Sequence, residues 1–337
     1  MLPAYLCRAA VEPFEAHGAE IAFYSISLQC QPDFDEIEAK ITPRTEAILA
    51  VHYFGFPQNV RRFREICDRR KLALIEDCAH VLTGMMHGQA LGSFGDASVF
   101  SWRKFLPMYD GGDLFLKNLS ATLKVEWRKE TPAFTLKVAK ALLDVVLENS
   151  TGVSARSISR GLEALKGLLR RASRTPADKP LFALDSNSAE LDLDLVNHKM
   201  SHISRWVREH SDLPAIISRR RKNYLFLAER LRALSGICVL YPNLPEEVCP
   251  WVFPLFFDGL EDAHLLLQKN GIPAVNWNGV RPPQIDARAF PEADFLYNNL
   301  SFLPVHQNLT PVMLQGMVDA VNLILSAVVP QVSRGAA

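Results

Sequence analysis

The sequence predicts an α/β protein: a mostly parallel sheet covered by helices, followed by a smaller C-terminal α+β part. Three observations carry this. From Leu2 to Ile75, short apolar runs alternate with amphipathic segments, the pattern of strands buried on both faces between covering helices. His52, Asp77 and His80 fall at the carboxyl ends of such runs, where open parallel sheets place their ligands. Beyond Gly236 the rhythm changes to strands and helices of a second, smaller unit.

The elements follow in order. Leu2 to Leu6 reads as a strand and Ala9 to His17 as a helix that stops at Gly18. Strand Ile21 to Ile26 precedes helix Phe34 to Ile41, and strand Ala47 to Tyr53 precedes helix Val60 to Arg70. Strand Leu72 to Ile75 ends on Glu76 and Asp77. A Gly-rich segment, Gly84 to Gly95, leads to strand Ala97 to Trp102, and a further strand covers Asp113 to Lys117. Residues 120–172 are helical in pattern, with LKVAKALLDVVL and GLEALKGLLRRA amphipathic at a 3.6 spacing. They read as packing helices, with a membrane-surface role for the basic end (Lys166, Arg170, Arg171, Arg174) as the alternative. Residues 173–190 read as a polar loop. Helices are expected from Asn197 to His210 and from Pro214 through Leu234. The last part reads as strands Ile237 to Tyr241, Trp251 to Phe257 and Ile272 to Trp277, with helices Glu261 to Asn270 and Thr310 to Val328. The domain division expected is 1–213 and 214–337.

Composition narrows the function classes. Thirty-seven basic residues balance thirty-seven acidic ones, so no global field favours nucleic acid or an anionic membrane. The six cysteines are scattered without a C-x-x-C pair, which points to reduced thiols in a cytoplasm and to no zinc site. No apolar run is long enough for a spanning helix, and no signal peptide is expected.

The most informative stretch runs from Ile75 to Gly112, IEDCAHVLTGMMHGQALGSFGDASVFSWRKFLPMYDGG. An acid at one strand end and Lys104 just past the next suit a pyridoxal phosphate (PLP) site. There a lysine amine condenses with the cofactor, and a carboxylate keeps the pyridine nitrogen protonated. By spacing alone, Lys104 could equally be a surface lysine at a strand end. The stretch resembles the core of the DegT/DnrJ/EryC1/StrS family of PLP-dependent aminotransferases, mostly acting on nucleotide-linked keto-sugars. Its R-K-x-L-P turn before Asp110-Gly111-Gly112 resembles a subgroup with a tighter turn. TPRT (42–45) leading into AILAVHYFGFP, NHKMS (197–201), Arg219 to Arg221 and LPVHQNL (303–309) are similar to the same family.

The resemblance implies a fold type I transferase with PLP as cofactor, an amino donor and a keto-sugar as substrates, a place in polysaccharide biosynthesis, and a homodimer with shared sites. It makes Lys104 the catalytic lysine, with Lys117 as fallback, and Asp77 the partner of the pyridine nitrogen. His80 would contact the cofactor's phenolic oxygen and Ser101 its phosphate, while Asn197 would reach the phosphate from the neighbouring subunit. Read without the family, Asp77 could cap the turn after its strand. His80 could be structural, Ser101 satisfied by backbone, and Asn197 a helix cap. Asp110-Gly111-Gly112 reads as a tight turn. Trp277, with Asn276 and Asn278, and His306 are candidates for the substrate mouth, while Tyr5 and His52 read as packing residues.

Two departures from the family pattern bear on activity. Cys7, in LPAYLC, stands where the family has an aromatic over the pyridine ring. The G-[ST]-x-A-L turn that cradles the phosphate with backbone N–H groups is not found. The alternative expectation is therefore a truncated, non-catalytic relative acting as a binding or regulatory partner.

Overall fold

The computed structural model describes residues 1–117, 125–149 and 196–332. The helical and loop readings for 150–190, with their basic residues, lie outside these.

Three strands, β3 (Ala47–Val51), β4 (Ala73–Cys78) and β7 (Ala97–Ser101), pair in parallel as the sequence predicts. The edge strand β8 (Gly112–Leu116) runs antiparallel to β7. On the other side, β1 (Leu2–Pro3) pairs in parallel with β2 (Phe23–Tyr24) and reaches β3 through the bonds Met1 N to Ala47 O and Leu49 N to Met1 O. The strand predicted over Leu2 to Leu6 is therefore much shorter. Its continuation is instead clasped by Tyr297, whose hydroxyl accepts the Leu6 N–H (3.0 Å) and donates to the Leu6 carbonyl (2.7 Å). The helix expected over Ala9 to His17 is a 3-10 turn, Arg8–Ala10, followed by α1 (Glu12–Ala16).

The helices α2 (Phe34–Lys40) and α3 (Val60–Arg70) match their sequence signals. Asp33 caps α2 by accepting from the backbone N–H of Asp35 and Glu36, and Asn59 caps α3. The residues that α3 buries, Val60, Phe63, Ile66 and Cys67, recur at helical spacing and face the sheet. The predicted end of the fourth strand is corrected: β4 runs through Glu76 and Asp77 to Cys78. Alternation then sends Glu76 and Asp77 to opposite faces. Two strands missed in the sequence, β5 (Met85–Met86) and β6 (Gln89–Ala90), form a small hairpin inside the Gly-rich segment.

After α4 (Pro132–Asn149), α5 begins at His202 rather than Asn197 and ends at His210. It is followed by α6 (Leu213–Leu231), capped by Asp212. An antiparallel sheet then forms from β9 (Ile237–Val239), β10 (Val252–Phe257) and a strand not foreseen, β11 (Ser301–Pro304), in the order β11-β10-β9. It is accompanied by α7 (Ala263–Lys269), α8 (Pro291–Asn299) and α9 (Pro311–Val332). The strand expected over Ile272 to Trp277 does not form. Pro273 removes a ladder donor there, and only a bridge from Val275 to Phe302 remains. One continuous apolar cluster runs from Leu2 and the parallel strands through α6 to β10, β11 and α9. Among the described residues no helix is long and apolar enough to cross a membrane.

Candidate active site

The carboxyl ends of β3, β4 and β7 converge, and a buried polar nucleus fixes them. Glu76 and His52 are both fully buried, with His52 Nε2 3.0 Å from Glu76 Oε2. His52 Nδ1 accepts the Gln58 N–H at 3.1 Å, so the ring proton sits on Nε2 and is donated to the carboxylate. Glu76 also accepts the backbone N–H groups of Gly92 (2.9 Å), Phe94 (2.8 Å) and Gly95 (2.5 Å). Burial alone would raise the Glu76 pKa, but the bonds from His52, Gly95 and Gly92 overcome it and hold the carboxyl below its usual range. These two residues anchor the Gly-rich segment. His52, Glu76 and Cys78 could approach one cation, but both oxygens of Glu76 and the free nitrogen of His52 are already engaged. The packing reading of His52 fits this geometry.

Asp77 lies on the opposite face of β4 from Glu76. One oxygen accepts the Ala79 N–H at 2.9 Å, the turn bond foreseen as its structural alternative. Burial raises its pKa, opposed by that bond and by the charge of Lys104. Lys104 ends a 3-10 turn (Trp102–Lys104) that follows β7 directly. Burial lowers its pKa, while Cys7 and Asp77 raise it and Arg103 lowers it further. Asp77 and Lys104 thus feel each other's charge, yet no ion pair within 4.0 Å joins them among the described residues. An acid and an amine at neighbouring strand ends are the two groups that a pyridine aldehyde needs: the acid would take its nitrogen and the amine its aldehyde carbon. Cys7 lies against the same pair, as its charge coupling to Lys104 and Asp77 records, and burial pushes its thiol up.

His80, 6% exposed, completes the group. Its Nδ1 accepts the Phe54 N–H at 3.3 Å, leaving Nε2 as the proton carrier. Burial, and then the Lys104 charge, hold its pKa well below the ordinary range, so the ring is neutral. It is stacked on Trp251 (3.9 Å, 12°), with the parallel Phe54 ring (6.1 Å, 4°) beside the pair. Gly55 makes the approach possible: its φ is +95°, and a Cβ there would lie 2.6 Å from the Cys249 carbonyl oxygen and 2.8 Å from that of His80.

The remaining residues separate clearly. Ser101 pairs with Gly112 at the end of β7, one turn before Lys104. Asn197 is exposed at φ +66°, its carbonyl bound by the Arg128 N–H. It is not a helix cap, since Ser201 caps α5. Lys117 is excluded as the fallback lysine: it follows β8 beside Asp96, at the amino end of β7. Trp277 packs among Tyr5, Tyr53 and Phe54, 5.4 Å from His80. Asn276 is held by the Tyr297 carbonyl. Burial and then Arg220 depress His306 to about 4.

Three residues were missed. Trp251 stands over the Lys104 amine, with Nζ 4.3 Å from its ring centroid. Arg220 donates to the carbonyls of Lys104 (3.1 Å) and Trp251 (3.4 Å), with its guanidinium over Phe105. Asp110 does more than shape a turn, accepting from Ser201 N, Ser201 Oγ and Ser204 Oγ and so tying the start of α5 to the lysine's own loop. The R-R-R run was the available signal for Arg220. Trp251 had none.

Comparison with known proteins agrees with the resemblance read in the sequence. Residues 2–126 match the DegT/DnrJ/EryC1/StrS aminotransferase family. Over 115 residues the chain is 35% identical to a dTDP-4-dehydro-2,3,6-trideoxy-D-glucose 4-aminotransferase of Saccharopolyspora spinosa, covering 33% of this chain and 30% of that one. The aligned part is thus less than a third of that curated relative. The fold is similar to the aminotransferase TlmJ from Streptoalloteichus hindustanus, with a TM-score of 0.63 at 19% identity, covering 97% of this chain and 79% of that one. It is also similar to DesI, solved in the presence of its TDP-sugar product, with a TM-score of 0.67 at 17% identity over 100% and 77% of the chains. The architecture is the α/β fold of these aminotransferases, the fold type I expected.

Proposed function

We propose that this chain is a PLP-dependent aminotransferase that moves an amino group to a keto-sugar, one linked to a nucleotide. The observation that carries the reading is the placement of Asp77 and Lys104, not ion-paired with each other, at the carboxyl ends of the neighbouring parallel strands β4 and β7, beside neutral His80. Bound PLP supplies an electron sink for the carbon that bears the donor's amine. Asp77 would hold the pyridine nitrogen through a charge-assisted hydrogen bond. His80, whose proton the Phe54 N–H leaves on Nε2, would serve the phenolic oxygen. Ser101 serves the phosphate in this chain, and Asn197, exposed beyond the Arg128 contact, serves that of a second copy in a homodimer with shared sites. The depressed pKa of Lys104 leaves its amine neutral over more of the pH range, which suits both attack on the cofactor and proton transfer at the donor carbon.

The sugar acceptor rests on what the similar proteins are named for, and their TDP- and dTDP-linked sugars support the nucleotide. A cytoplasmic place in polysaccharide biosynthesis accords with six free cysteines, and the even charge balance with no nucleic-acid partner. A large and a small domain meet at 213/214, at the capped start of α6. The test is an absorbance spectrum with added PLP for the wild type and Lys104→Ala. A protein-bound band in the wild type that the variant loses is expected. No band in either sinks the enzyme reading.

A further inference from the structure

Lys104 has no carboxylate within ion-pair distance among the described residues, and its amine stands over an indole. Trp251 is 4% exposed and stands just before β10, in the antiparallel sheet, whereas Lys104 follows β7 of the parallel sheet. Its ring is stacked on His80, with Phe54 parallel to it at 6.4 Å (9°) and beside both, and the Lys104 amine stands over the indole. The backbone holds this cluster from two sides. The Trp251 N–H donates to the Phe54 carbonyl at 2.9 Å, and the Trp251 carbonyl accepts from Arg220. The same guanidinium binds the Lys104 carbonyl, so one rigid fork spans the backbone of both the amine and its aromatic cover.

Arg220 is 3% exposed and in no ion pair among the described residues. Burying such a cation is costly, and a methionine could fill the same space beside Phe105 at less cost. What it could not do is hold two carbonyls 147 positions apart in sequence (104 and 251) in a fixed relation.

We propose, resting on the function inferred above, that Trp251 is a positioning residue for the Lys104 amine and that Arg220 sets where Trp251 stands. The indole face attracts the ammonium form, screens the amine from water and restricts the directions it can take. The amine is thereby held over the indole rather than ranging into solvent. Asp77, Cys7, His80 and Arg103 are the titratable or charged neighbours on the remaining sides.

The test reads the amine itself in the protein without cofactor. Trace labelling with acetic anhydride across the lysine titration range, followed by mass spectrometry, gives the plateau rate at Lys104 relative to exposed Lys117. Trp251→Leu should raise that plateau about tenfold as the indole screen is lost, and lower the amine's pKa by about one unit, equivalent to losing ~1.4 kcal/mol of cation–π contact. Trp251→Phe should restore most of the shielding. Arg220→Lys, which keeps the charge but cannot span both carbonyls, should label as Trp251→Leu does. Wild-type labelling in both Trp251→Leu and Arg220→Lys overturns the proposal. If Trp251→Leu does not fold, Arg220→Lys decides alone. Failure of the parent reading is separable: absence of a PLP band in the wild type removes the enzyme function but leaves the labelling differences as they are.

Discussion

Glu76→Gln should destabilise the chain by an amount that its hydrogen bonds fix. Oε1 accepts Phe94 and Gly95, and Oε2 accepts His52 and Gly92. A glutamine amide presents one oxygen and one NH2, so whichever way it turns, two N–H donors face a donor. His52 cannot rescue the arrangement by moving its proton, because Nδ1 already accepts from Gln58. Leaving a buried donor unpaired costs ~1–3 kcal/mol, so the variant should lose on the order of 4 kcal/mol, set against a typical total stability of about 5–15. Urea unfolding followed by far-UV circular dichroism measures it as a lower midpoint at unchanged slope. The pH dependence supplies a second reading. Because the folded Glu76 pKa is depressed, its contribution is present above the unfolded value of 4.5 and is lost as pH falls through the folded one. The gap between wild type and variant should therefore close in acid. A loss below about 1 kcal/mol at neutral pH would show that these bonds do not hold the Gly-rich segment and would refute the reasoning.

Two further outcomes follow from the same geometry. Gly55→Ala puts a Cβ against two carbonyl oxygens at a positive φ, and should cost about 3 kcal/mol and disturb the stacking on His80, read as a shifted tryptophan emission maximum. A variant with wild-type midpoint and emission would contradict that. Asp77→Asn should separate stability from function. The folded Asp77 pKa is raised, so its favourable contribution exists below the unfolded value of 3.8 and is lost as pH rises through the folded one. At neutral pH the cofactor-free variant should be at least as stable as the wild type while failing to develop the PLP band. A destabilised variant that still shows the band would reverse the assignment.

Much of this was legible because local signals and tertiary demands agreed. The bounds of α3, read as Val60 to Arg70, hold because Asn59 caps it and Val60, Phe63 and Ile66 face the sheet, and Asp77 was found from its place near a strand end. Even so, the strand outran its apolar run, since β7 pairs as far as Cys78 and the buried Glu76 is satisfied from across the loop. What stayed hidden depended on distant partners. Trp251 reads as one more strand residue until it meets Lys104, and Arg220 as one of three arginines until α6 turns it inward. Asp110 looked like a turn residue because the serines it binds come 91 and 94 positions later. Ile272 to Trp277 misled for the opposite reason, an apolar run whose proline spoils the ladder.

The clasp of Tyr297 on Ala4 to Leu6 has a consequence in time rather than in space. The Leu6 partners are separated by 291 positions, so the Leu6 backbone groups wait for Tyr297 to be synthesised before they are satisfied. Closing so large a loop is entropically expensive, and contacts of such separation slow folding. A nascent chain stalled short of α8 should therefore be the species most in need of chaperone protection.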